Sequence, residues 1–139
     1  MVGFQNGNGC QPMTEKIPTM RMHLWLETED GLYFGLGRAI LLAKIQEHGS
    51  LRRAAEELGM SYRAAWGKIK KTEEILGIKL IAQNGSKKEG YQLSEAGKTF
   101  MESYFLWFEE VERDALLKAE KLLPWAITSY RPGRPPESD

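Results

Sequence analysis

Gly49-Ser-Leu-Arg-Arg-Ala-Ala-Glu-Glu-Leu-Gly-Met-Ser-Tyr-Arg-Ala-Ala-Trp66 contains two helix starts with one stop between them. Ser50 and Ser61 each stand directly before a helix-forming run, where a side-chain oxygen accepts a first-turn amide proton that has no partner inside the helix. Ser50 therefore opens a short helix over Leu51 to Leu58, with Ala54, Ala55 and Leu58 turned inward, and Gly59 ends it. Ser61 opens a longer helix that runs to about Leu76 and stops at Gly77. Two helices joined through Gly59-Met60-Ser61 make a helix-turn-helix.

Outward from this pair the chain keeps the same punctuation. Upstream, Ala39, Ile40, Leu42, Ala43 and Ile45 fall along one helical stripe that starts at Gly37 and ends at His48-Gly49. Before it, the β-prone runs Met20 to Glu27 and Leu32 to Gly35 flank Thr28-Glu-Asp-Gly31, and Asp-Gly between two such runs signals a hairpin. Downstream, Lys79 to Gln83 and Tyr91 to Leu93 enclose the polar segment Asn84 to Gly90, a hairpin with a basic tip that reads as a wing. Ser94 then caps a long helix to Leu123, where Pro124 prevents further turns. The expected fold is mainly α with small β elements: a winged helix-turn-helix with an N-terminal β-hairpin and a long C-terminal dimerisation helix. Residues 1–19 read as a disordered leader, 20–124 as the domain with its dimerisation helix at 94–123, and 125–139 as a flexible tail rich in proline.

With 42% hydrophobic and 27% charged residues, the chain has the composition of one ordinary globular domain. No apolar run approaches the roughly 18 residues needed to span a bilayer, so a cytoplasmic location is expected. Cys10 is the single cysteine, excludes an internal disulfide and is assigned no role. The net charge is zero, but it is unevenly spread: Gly49 to Gly90 holds nine Lys/Arg against five Glu, whereas Ser94 to Trp125 holds four basic and seven acidic residues. The basic surplus thus coincides with the helix-turn-helix and wing.

On a helical projection, Tyr62, Ala65, Trp66, Ile69 and Leu76 share one side of the second helix, while Arg63, Ala64, Gly67, Lys70, Lys71 and Glu74 share the other. A basic face with small residues suits entry into a major groove, because Ala64 and Gly67 allow close backbone approach while Arg63 and Lys71 reach base edges and phosphates. Arg63, in the first turn, is the candidate for reading guanine. The candidate DNA-binding set is Ser50, Arg52, Arg53, Ser61, Arg63, Ala64, Gly67, Lys68, Lys70, Lys71, Lys87 and Lys88. Tyr62 and Trp66, four residues apart on the apolar side, are read as core in preference to base-stacking groups.

These residues carry a family resemblance. Gly49 to Trp66, preceded by Gly35-Leu-Gly-Arg-Ala-Ile-Leu-Leu42 and followed after the wing by Leu93-Ser-Glu-Ala-Gly97, resembles the N-terminal DNA-binding domain of ModE molybdate-responsive regulators and the wider LysR-type winged helix. The resemblance covers about residues 20–124, and Gly-Met-Ser-Tyr-Arg-x-x-Trp is its specific part. It implies a transcriptional regulator that binds operator DNA as a homodimer. Full-length ModE proteins continue into oxyanion-binding domains for which this sequence offers no matching segment, so the resemblance supplies no positions for molybdate ligands. The wing, with only Gly85 and Gly90, is also poorer in glycine than the family's.

In the long helix, Tyr104, Trp107, Phe108 and Val111 recur at spacings of three and four, and Met101, Phe105 and Leu116 widen the apolar surface. That is more than one small domain can cover, so these seven residues are the expected dimerisation surface, with a palindromic DNA site as its consequence. Two other functions compete: a protein-interaction module using the aromatic long helix, and a small sensor of molybdate or tungstate. An enzyme is not expected, since no catalytic constellation or phosphate-cradling loop is present. No cofactor or metal is expected either, because neither His23 nor His48 has neighbours at metal-ligand spacing.

Overall fold

The computed structural model describes residues 17–83, 85 and 90–130. Four helices and six short strands follow in the order β1 (Thr19–Met20), β2 (Leu26–Thr28), β3 (Gly31–Phe34), α1 (Leu36–His48), α2 (Leu51–Glu57), α3 (Tyr62–Leu76), β4 (Ile81–Gln83), β5 (Tyr91–Leu93), α4 (Glu95–Leu122) and β6 (Thr128–Ser129). The described residues divide into two compact units, His23–Trp107 and a second formed by residues 17–22 with 108–130. The boundary falls inside α4, between Trp107 and Phe108.

Within His23–Trp107, β2 and β3 form the N-terminal hairpin, antiparallel with Thr28 opposite Gly31 and an irregularity between Leu26 and Glu27. The Thr28 hydroxyl accepts from the Asp30 amide, and Gly31 takes φ +110°, a conformation that side-chain-bearing residues avoid. The serines act as expected: Ser50 Oγ accepts from the Arg53 amide at 3.2 Å and Ser61 Oγ from the Ala64 amide at 3.0 Å. At Gly49 and Gly77 the backbone turns left-handed, and each amide donates to the carbonyl four residues back, closing α1 and α3.

The core of this unit gathers Phe34, Leu41, Leu42, Ile45, Leu51, Ile69 and Leu80, all fully buried. Burying each such side chain contributes roughly 1.5–3 kcal/mol before entropy is counted. Leu41, outside the expected stripe of α1, is buried, whereas Ile40 and Ala43 are only half-buried. Phe34 meets Phe100 and Tyr104 edge-on, with ring centroids 4.6 and 5.1 Å away. Gly97 lies so close to the Leu80 carbonyl that a Cβ there would collide with it, which makes glycine a packing requirement of α4.

The wing strands pair antiparallel with Ile81 opposite Leu93 and Gln83 opposite Tyr91. Their position is fixed by Glu73, a buried carboxylate on α3. Its Oε2 accepts from the Leu80 and Ile81 amides at 2.8 and 3.2 Å, and its Oε1 from the Lys70 ammonium at 2.9 Å. Burial pushes this carboxyl up, but Lys70 and the two amides outweigh it and hold Glu73 below the usual carboxylate range.

In the other unit, β1 and β6 pair in parallel, with the Thr128 amide donating to Pro18 and the Tyr130 amide to Met20. The Arg21 guanidinium lies 3.8 Å from the Tyr130 ring centroid. Thr19 and residues 125–130, expected as part of a disordered leader and a flexible tail, are therefore structured in part. The pairing joins segments more than a hundred residues apart, and two-residue strands carry no periodicity to read.

A depressed carboxylate stabilises the folded state above its unfolded pKa and loses that contribution as pH falls through the folded one. Glu73→Ala should cost about 1.5–3 kcal/mol near neutrality, the usual range for hydrogen bonds to a charged group. Urea titrations of variant and parent should show that gap narrowing as the pH is lowered below about 4.

Candidate nucleic-acid interface

Because α3 buries Ala65, Ile69, Thr72 and Glu73, its opposite side is fixed. Arg63, Ala64, Gly67 and Lys68 are exposed there, one turn apart in pairs, with the capping residue Ser61 exposed at the start. A Cβ added at Gly67 would meet nothing within 4 Å. Arg52 and Arg53 are exposed on α2, while Ser50 is half-buried with its hydroxyl engaged in the cap. Arg53, Arg63 and Lys68 form no ion pair with another described residue.

Lys70 and Lys71 stand differently from the projection. Both are half-buried at the edge of the face. Lys70 is held by Glu73 and its ammonium lies 4.5 Å from the Trp66 ring centroid. Lys71 Nζ comes within 3.7 Å of the position a Cβ on Gly31 would take. Lys87 and Lys88, the expected wing contacts, lie outside the described residues.

Tyr62 and Trp66 were expected in the core and instead sit half-buried at its border. Their rings stack at 6.4 Å with an interplanar angle of 23°, and Trp66 meets Tyr91 of β5 edge-on at 4.8 Å. Arg52 lies 4.5 Å from the Tyr62 ring centroid, so cations flank both ends of the aromatic pair. The reason is angular: Ala65, Ile69, Thr72 and Glu73 take the inward positions, leaving Trp66 about 100° round from Ala65, against the wing.

Sequence reasoning missed Thr72 and Glu73. Thr72 is fully buried, and its hydroxyl bonds the Tyr33 carbonyl of the N-terminal hairpin. Glu73 follows Ile69 by four positions, so the projection itself held the signal, but its charge argued for the outside.

The expected dimerisation residues divide. Met101 and Tyr104 are buried in the core of their own unit, with the Tyr104 hydroxyl donating to the Leu24 carbonyl at 2.9 Å. They share a face with Gly97 and Phe100, through which the first half of α4 docks. Phe105 is half-buried beside Tyr104, and Trp107 is 42% exposed. Phe108, Val111 and Leu116 are half-buried and belong to the second unit. Leu106 and Leu117, not anticipated, are 57% and 51% exposed. Among the described residues, no helix is long and apolar enough to cross a membrane.

Residues 37–98 match the family of bacterial regulatory helix-turn-helix proteins described as lysR, a span from the start of α1 through the wing into the first turn of α4. The CbnR_DBD chain, solved as a DNA complex, superposes with a TM-score of 0.50 at 21% identity, covering 61% of this chain and 94% of its own. The His23–Trp107 unit is a winged helix-turn-helix. Over 76 residues the chain is also 34% identical to the molybdenum-pterin-binding protein MopB of Rhodobacter capsulatus, a match that takes in 53% of this chain and 28% of MopB. The chain thus spans under a third of that relative's length. Within the winged helix-turn-helix, α2 and α3 are the paired helices and β4 and β5 the wing.

Trp66→Ala should cost about 1–3 kcal/mol in urea unfolding, below the roughly 3–5 kcal/mol of a fully buried aromatic. A loss in the upper range would return the ring to the core.

Proposed function

We propose that the winged helix-turn-helix binds duplex DNA through the exposed side of α3 and that the chain acts as a transcriptional regulator. Gly67 carries this reading. Glycine inside a helix is about 1 kcal/mol less favourable than alanine, and nothing in the chain approaches Gly67 closely enough to require it. A helix side lowered by Gly67 and Ala64 and edged by Arg63 and Lys68 suits close approach to a groove. In this reading Arg63 reads base edges, Arg53 and Lys68 meet phosphates, and Lys87 and Lys88 extend the contact from the wing. That the CbnR_DBD chain was solved as a DNA complex supports the same use of the fold. Action in the cytoplasm follows from it.

The regulator works as a homodimer on a palindromic site. Leu106 on α4 is 57% exposed, and this supports the reading. Leu106 and the neighbouring Trp107, 42% exposed, are the proposed contact residues of the His23–Trp107 unit. A second reading, response to a molybdenum oxyanion, rests on the similarity to MopB. Calorimetric titration with molybdate that produced no heat would remove it.

Gly67→Ala should raise the melting temperature while weakening duplex binding, a pairing of effects that a purely structural glycine does not produce. Fluorescence anisotropy on a selected duplex measures the second effect, and affinity should fall steeply between 50 and about 200 mM salt. Salt-insensitive binding to a protein partner, with no DNA affinity at low salt, would favour an interaction module.

Light scattering at micromolar concentration should give about twice the 15.8 kDa of one chain, and Leu106→Lys should return it toward the single-chain mass. A parent already at 15.8 kDa sinks the dimer and the palindrome with it.

A further inference from the structure

Away from the exposed side of α3, the last turns of α1 and α2 bring together three groups that are far from ligand spacing in the sequence. Glu47 and His48 end α1, and Glu57 ends α2. One donor atom from each lies within 4.8 Å of the other two. The Lys44 ammonium is held between the carboxylates, 2.6 Å from Glu57 Oε2 and 3.2 Å from Glu47 Oε1. His48 Nε2 contacts Glu57 Oε1 and stands 3.9 Å from Glu47 Oε2. Two carboxylates and an imidazole therefore already converge around a positive charge, which the chain supplies itself.

Lys44 is a long, flexible side chain, and solvent reaches its ion pair with Glu57, where the two side chains are 27% and 40% exposed. The carboxyl end of α1, where unpaired carbonyls leave partial negative charge, favours any cation placed there. The donor set narrows which cation: an imidazole with two carboxylates suits zinc and its first-row neighbours, whereas calcium and magnesium favour oxygen alone. Zinc bonds of about 2.0–2.2 Å require the three donors to draw closer than they stand. Glu47, with its side chain 58% exposed, has the room to move.

We propose that Glu47, His48 and Glu57 form a site for a first-row divalent cation of the zinc class, which enters by displacing the Lys44 ammonium. Water completes the coordination, as it does where a zinc ion has three protein ligands. The ion joins the end of α1 to the end of α2, and so clips together the two helices that precede α3. None of its residues is among those proposed to touch DNA.

The test uses the full chain carrying Cys10→Ser, which removes the competing thiol, titrated with zinc chloride by calorimetry and followed by thermal melting. Saturable binding of one ion per chain is expected, with a melting temperature raised on the order of 5 °C at saturation. His48→Ala and Glu57→Gln should each weaken binding at least about tenfold. Lys44→Gln, which removes the competitor and keeps all three ligands, should tighten it, and His23→Ala should leave it unchanged. Absence of saturable heat in both the parent and Lys44→Gln overturns the proposal. So does binding that survives His48→Ala or is lost with His23→Ala, either of which places the ion elsewhere.

Discussion

The carboxylate of Glu73 accepts from two amides at the start of the wing and from Lys70 on its own helix, and the geometry of the winged unit follows from that arrangement. A carboxylate out of water is tolerated only when its oxygens are filled, and here three donors fill them. Without it, the Leu80 and Ile81 amides would be buried donors in need of another partner. With Leu80 held, its carbonyl accepts from the Ser94 amide at 2.9 Å, and Gly97 packs directly on that carbonyl. Ser94 Oγ meanwhile donates to the Lys79 carbonyl and accepts from the Gly97 amide. Residues 79–81 are thus the point where α3, the wing and the beginning of α4 are joined.

This anchoring divides the cations of the helix-turn-helix by role. Lys70 serves the Glu73 carboxylate and the Trp66 ring, and Arg52 covers Tyr62, so these charges also hold local structure. Arg53, Arg63 and Lys68 remain the exposed charges without a described ion-pair partner. A count of lysines and arginines between Gly49 and Gly90 therefore overstates the charge available to a phosphate backbone. The zero net charge of the chain is still compatible with nucleic-acid binding, because the field near a surface is set by local charges within roughly a Debye length.

What could be read from the sequence was what depends on local backbone chemistry. Ser50, Ser61, Gly49, Gly77 and the hairpin turn at Glu29-Asp30 each act through atoms within a few residues, so the hairpin, the four helices and the helix-turn-helix were legible, whereas β1 and β6 were not. The exposure of Arg63, Ala64 and Gly67 followed from helical angle alone, whereas Lys70 and Lys71, projected on the same face, are half-buried. What escaped needed partners distant in sequence: Thr72 bonding Tyr33, Glu73 capping the β4 amides, and Glu57 reaching the end of α1. Trp66 failed for a related reason. Its size and spacing argued for the core, but whether a ring lies inside or at the border depends on Tyr91, a residue of the wing.

The long helix α4 shows how an apolar stripe can mislead about association. Spacings of three and four mark the side of a helix that packs, and in α4 the packing residues Met101 and Tyr104 serve the chain's own core. A surface for a second copy must then lie elsewhere around the same helix. Leu106 stands two residues beyond Tyr104, about 200° round the axis, and so faces almost directly away from that core. Its exposure among charged neighbours hides it from any search for a continuous stripe. Met101 and Tyr104 of the apolar pattern are committed within the protomer, whereas Trp107 of the same pattern and Leu106 outside it stand exposed.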